Sequence, residues 1–222
     1  MEPQNIYEQL KKDPEVLSLL HKGNDNLGTL GYTDHSEAHC CLVAERAARI
    51  LQTLQSPAHD VELAKIAGLL HDIGNAVNRS HHAEYGALLA YSILERIGLS
   101  LADRVEVLAC ISNHDESTGG AVDPISAALI IADKTDVRRN RVRTSDKSAF
   151  DIHDRVNYAV TGAELLIQTE RGAITLSLAI DEEICTMYEY FEIFLQRMLM
   201  CRRAAEMLKM QFRLTANGSK IL

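Results

Sequence analysis

His71 and Asp72 stand side by side in GLLHDIGN, where an apolar helical pattern stops at Gly74. Four more imidazoles and carboxylates hold positions of the same kind. His39 lies four residues before Val43, on the stripe Val43, Ala47, Ile50 and Leu54, and such spacings mark one helix face. His82 falls in the first turn of a later helix, His114 follows the apolar VEVLACISN, and Asp133 interrupts the run AALIIA. A lone carboxylate buried there costs roughly several kcal/mol, so Asp133 requires a cation or hydrogen-bond donors. Imidazoles and carboxylates that desolvate together are best satisfied by a divalent metal. Free carbonyls at the end of the helix carrying His71 add partial negative charge that favours a cation. With no cysteine in the set, a structural zinc site is not expected.

These groups must be held by helices. The spacing predicts an amphipathic helix over 5–22, a Gly/Asn/Asp-rich loop over 22–34, and helices over about 35–55 and from Pro57 to Gly74. Further helices are predicted over about 80–97, closed by Gly98, from Ser100 to about 112, and from Pro124 through ISAALIIADKTD. The pattern changes near 145. Two β-prone runs flank TERG, a long helix follows over 181–210, and QFRLTANGSKIL suits a returning strand. The expected fold is mainly α: a helical metal-binding domain over 1–149, then a small α+β part over 150–222 with a β-hairpin and a long helix.

The chain has 222 residues and 46% hydrophobic residues, enough for a sizeable core, with no tryptophan. Its net charge of −8 argues against a duplex nucleic-acid partner. Five cysteines without CxxC pairing read as buried free thiols of a reducing compartment. No signal peptide or bilayer-length apolar run is recognised, so a cytoplasmic protein without a membrane partner is expected.

The ordered set His39, His71-Asp72, Asp133 resembles the H…HD…D signature of the HD superfamily of metal-dependent phosphohydrolases. HAEYGA over 82–87 and His114 are similar to the two-metal branch, which includes HD-GYP phosphodiesterases and diadenosine tetraphosphate hydrolases. The GYP tripeptide itself is replaced by STGGAVDP. The resemblance implies an HD helical bundle holding two divalent ions, with iron or manganese expected ahead of zinc, cobalt, nickel or magnesium. It implies that His71 and Asp72 are the catalytic pair, with Asp72 bridging, that His39 and Asp133 complete one metal, and that His82 and His114 serve the second.

Two metals can clamp both oxygens of a phosphoryl transfer and lower the pKa of water. The implied activity is hydrolysis of a phosphoester or phosphoanhydride in a small phosphorylated substrate, a nucleotide by expectation. Cationic side chains should then line the phosphate path. DKTDVRRNRVR follows Asp133; Arg138 and Arg139 are the preferred binders, with Lys134 beside them, and a solvated basic loop is the alternative. His35, one turn before His39, either contacts substrate or a metal-bound water, or faces solvent at the helix start. His81 can stay in solvent while His82 turns inward. No GxxxxGK[ST] loop and no GxSxG elbow is present. Two other functions remain open: a di-iron oxygenase of the HD type, and a catalytically silent nucleotide-sensing module. In the latter, the C-terminal hairpin and Met-rich helix would serve a homodimer or a partner.

Overall fold

Asp13 and Pro14 divide the N-terminal region. In the computed structural model, which describes residues 6–143 and 150–222, α1 (Ile6–Leu10) ends before them and α2 (Pro14–Thr29) begins at Pro14. The Asp13 carboxylate accepts from the amides of Glu15 and Val16, and proline suits the first helical position. The composition of 22–34 predicts a loop, yet its first eight residues are helical. Tertiary contact is the reason. Asn26 donates to the carbonyls of Asn75 and Ala76 at 3.1 and 3.2 Å. Gly23 backs onto the same turn so closely that a Cβ would lie 3.1 Å from the Ala76 amide nitrogen.

The bundle continues with α3 (Glu37–Thr53), α4 (Ala58–Leu70), α5 (His82–Ile97), α6 (Leu101–Ser112) and α7 (Pro124–Lys134). Local signals set most of the boundaries. Ser100 accepts from the Asp103 amide, Asp123 and Ser126 form a capping box, and Gly98 closes α5 with φ +89°. α4 and α7 are the central helices: the residues from Leu69 to Ile73 and from Ala127 to Ala132 are buried. α4 lies against α3 with backbones nearly touching, since a Cβ on Gly68 would come within 2.5 Å of Ala44 Cα. Gly74 is expected to end α4, but the helix stops at Leu70 and Gly74 lies in a 3-10 turn, Ile73–Ala76. A side chain at Gly74 would strike the His82 carbonyl and the Gly86 amide, so its glycine lets α5 approach.

The C-terminal part contains α8 (Ile152–Ala159), β1 (Val160–Gln168), β2 (Ala173–Ile180), α9 (Met187–Met207), β3 (Gln211–Ala216) and β4 (Ser219–Lys220). The sheet order is β1-β2-β3-β4. β1 and β2 form the hairpin predicted around TERG, with Gly172 at φ +56°. α9 carries the chain over to β3, which pairs parallel with β2 and sets Leu176 beside Leu214. The architecture is thus mainly α with a small α+β part. Core residues of α7 and α9 belong to one apolar cluster. The expected boundary between 149 and 150 abuts residues 144–149, which lie outside the described residues. All five cysteines carry free thiols. No described helix is long and apolar enough to cross a membrane.

Candidate metal centre

Three helix C-termini meet at one end of the bundle. His71 and Asp72 follow α4, His114 stands two residues beyond the end of α6, and Asp133 lies in the last turn of α7. The first turns of α3 and α5 bring His39 and His82 to the same place. Last-turn carbonyls lack helical amide partners and carry partial negative charge. Two of them orient imidazoles: Nδ1 of His71 bonds the Gly68 carbonyl at 2.8 Å, and Nδ1 of His114 bonds the Ile111 carbonyl at 2.6 Å. Nδ1 of His82 bonds the Arg79 carbonyl at 3.1 Å, and Nδ1 of His39 bonds the Asp136 carboxylate at 2.7 Å. A carbonyl or an ionised carboxylate only accepts, so each Nδ1 carries the proton. A ring that carries its proton on Nδ1 presents its Nε2 lone pair inward.

The inward atoms crowd together. His39 Nε2 is 3.4 Å from Asp133 Oδ1 and 3.8 Å from Asp72 Oδ2. His71 Nε2 is 3.3 Å from Asp72 Oδ2 and 3.7 Å from Asp133 Oδ1. On the other side of Asp72, Oδ1 lies 3.7 Å from His82 Nε2, which faces His114 Nε2 at 3.2 Å. Three overlapping triads have donor atoms within 4.8 Å of one another: His39–His71–Asp72, His71–His114–Asp133 and Asp72–His82–His114. Among the described residues His39 Nε2, His71 Nε2 and Asp72 Oδ2 are buried with no hydrogen-bond partner. Each such buried orphan costs about 1–3 kcal/mol, so three aimed at one point call for a cation.

Charge and burial tune the groups accordingly. Burial opposes ionisation of Asp72 and Asp133, yet His71 beside Asp72 and Lys134 beside Asp133 hold both carboxyls well below the usual range. Burial, with His71 and His82 nearby, pushes His114 down to about 3, and burial also lowers His82. Burial opposes charging His71 too, but the Asp72 and Asp133 carboxylates outweigh it and raise its pKa. Ionised carboxylates and neutral imidazoles are the forms that bind divalent metal.

The sequence matches the HD domain family over residues 37–148, which contain all six of these residues. The chain belongs to the HD domain family. This is a family of metal-dependent hydrolases. An uncharacterized protein of Methanocaldococcus jannaschii is 32% identical over 175 residues, covering 68% of this chain and 67% of that one.

Around the HD-domain cluster, the cationic side chains fall into two groups. Arg138 clasps Asp136 through Nε and a terminal amine, and Arg139 bonds the Tyr158 carbonyl and stacks on its ring. Neither lines the cavity over the cluster. Lys134 does line it, but its ammonium pairs with Asp133 and Glu116, both at 2.7 Å. Arg79, Arg141 and Arg197 line it as well, and so does His35, half-buried, with Nδ1 at 2.7 Å from the Thr33 carbonyl. His81 is exposed while His82 is buried.

Several contributors escaped the sequence reading. Asp136 orients His39, and its signal was a second carboxylate one helical turn after Asp133. Asn75 donates to Asp72 Oδ1 at 2.8 Å and accepts from Arg79. Both lie at i+3 and i+7 from Asp72, close in sequence. Arg197, on α9, gave no sequence signal.

Proposed function

We propose that this HD-domain protein hydrolyses a phosphoester or phosphoanhydride, in a nucleotide by expectation, through metal-activated water. The observation that carries the reading is the set of three buried, unpartnered atoms, His39 Nε2, His71 Nε2 and Asp72 Oδ2, within a ring of inward-facing donors. His39, His71, Asp72 and Asp133 would hold one ion. His82 and His114, with Asp72 between the two groups, would hold a second. Iron or manganese suits this nitrogen- and oxygen-rich set. Divalent metal supplies Lewis acidity and a water of lowered pKa. The protein's own part is to fix the donors through their Nδ1 bonds, hold Asp72 through Asn75, and bring arginines to an anionic substrate. Those arginines favour hydrolysis of a phosphate over the oxygenase alternative, because guanidinium matches phosphate geometry.

The test strips the protein of metal and reloads it separately with manganese, iron, cobalt, nickel, zinc and magnesium. Each form is assayed with a nucleotide panel and bis(p-nitrophenyl) phosphate. Metal-dependent release of phosphate or p-nitrophenol is expected. Bound metal without hydrolysis of any of these would sink the hydrolase reading, and oxygen uptake by the iron form would move the assignment to an oxygenase.

A further inference from the structure

Two open cavities flank the cluster. One, of about 310 Å³, is walled by Leu30, Tyr32 and Phe194, with His153 and Asn157. The other, of about 390 Å³, has Ser80, Ser117 and Thr118 in its wall. Arg79 and Arg197 line both of them and also the space directly over the cluster. They are shared by all three linings.

The four cations around the cluster differ in what remains free. Lys134 is neutralised by its two carboxylates. Arg141 is tied to the backbone, with Nε on the Asp34 carbonyl and a terminal amine on the Asp136 carbonyl. Among the described residues Arg197 is held by Nε alone, 3.0 Å from Glu116, with its Cζ 4.9 Å from the centre of the Phe194 ring. Arg79 is held by one terminal amine, near Asn75 Oδ1 and His82 Nε2, and lies over the Tyr32 ring. The ring contact and a single anchor hold each guanidinium, and among the described residues its other N–H donors have no partner. Such a preorganised fork suits a tetrahedral oxyanion.

The geometry points to Arg79 and Arg197 as a two-sided clamp for the substrate's phosphoryl group. The C-terminal helix α9, outside the matched HD segment, thereby completes the substrate site. This rests on the phosphohydrolase reading for the identity of the anion. Arg197 acts by binding and positioning.

Calorimetric titration of orthophosphate into the metal-free and the manganese-treated protein tests it. Wild-type protein is expected to bind, and Arg197→Ala and Arg79→Ala should each weaken binding about tenfold or more, as loss of a charge-assisted contact does. Arg197→Lys should recover part of the affinity. Glu116→Gln separates clamp from scaffold: it removes the ion pair but keeps the guanidinium, so phosphate binding should persist. No phosphate binding in either form, unchanged binding in Arg197→Ala, or equal losses in Glu116→Gln and Arg197→Ala would overturn the clamp. Arg197-dependent binding without hydrolysis would leave the clamp standing and remove the hydrolase. Hydrolysis with a KM indifferent to Arg197 would do the reverse.

Discussion

His71 and Asp72 sit together because each solves the other's problem only partly. Their close approach leaves His71 Nε2 and Asp72 Oδ2 without a hydrogen bond, and both are buried. A cation between them satisfies both. His71→Ala and Asp72→Ala should each abolish metal occupancy and activity while helix content persists. Elemental analysis beside far-ultraviolet circular dichroism checks this, and full metal content in either variant would contradict it. Asp136 works one step further out. Its bond to His39 Nδ1 fixes the ring and strengthens Nε2 as a donor, so Asp136→Asn should weaken metal affinity about 10–100-fold. Competition with a chelating dye measures that loss. The pH dependence has a definite sign. Metal takes the neutral form of His71, whose pKa the Asp72 and Asp133 carboxylates raise against burial. Protons therefore compete with the ion, and affinity should climb as pH rises through that raised value.

At the scale of elements, the centre depends on how closely α5 approaches the turn after α4. Gly74 permits that approach, since a Cβ would meet backbone atoms of His82 and Gly86. Backbone cannot swing aside as a side chain can. Gly74→Ala should therefore push α5 outward, destabilise the fold by about 1–3 kcal/mol, and displace His82 from Asp72. A lower Tm together with reduced metal stoichiometry is the expected result, and an unchanged Tm would show that α5 is not held by this contact. The convergence of α4, α6 and α7 C-termini matters in the same way. Carbonyls of α4 and α6 orient His71 and His114.

Across the whole molecule, the central helices α4 and α7 are buried at their ends nearest the site, so folding gathers ionisable groups where water cannot screen them. Metal binding should then stabilise the fold measurably. An ion present at a hundred times its Kd adds about 2.7 kcal/mol, or roughly 5–10 °C in Tm for a chain of this size. Thermal unfolding with and without a chelator reads this directly, and coincident curves would deny the cluster a metal.

The HD motif and its helices could be read in one dimension because their signals are local. Amphipathic spacing, the Asp123 and Ser100 caps and the HD dipeptide lie within a turn or two of what they specify. The hairpin around TERG was readable for the same reason. The helix over 22–29 was not, because Asn26 and Gly23 are helical through contact with residues 75 and 76, some fifty positions away. The arginines show the same divide. Proximity to Asp133 in sequence favours Arg138 and Arg139, yet folding turns Arg138 to Asp136 and Arg139 to Tyr158. Arg79 and Arg197, 118 residues apart in the numbering, face one space. Residue type and short-range spacing state which groups can ligate an ion or bind an anion. Which of them share a cavity depends on long-range packing, because a side chain's direction follows the surface its helix buries.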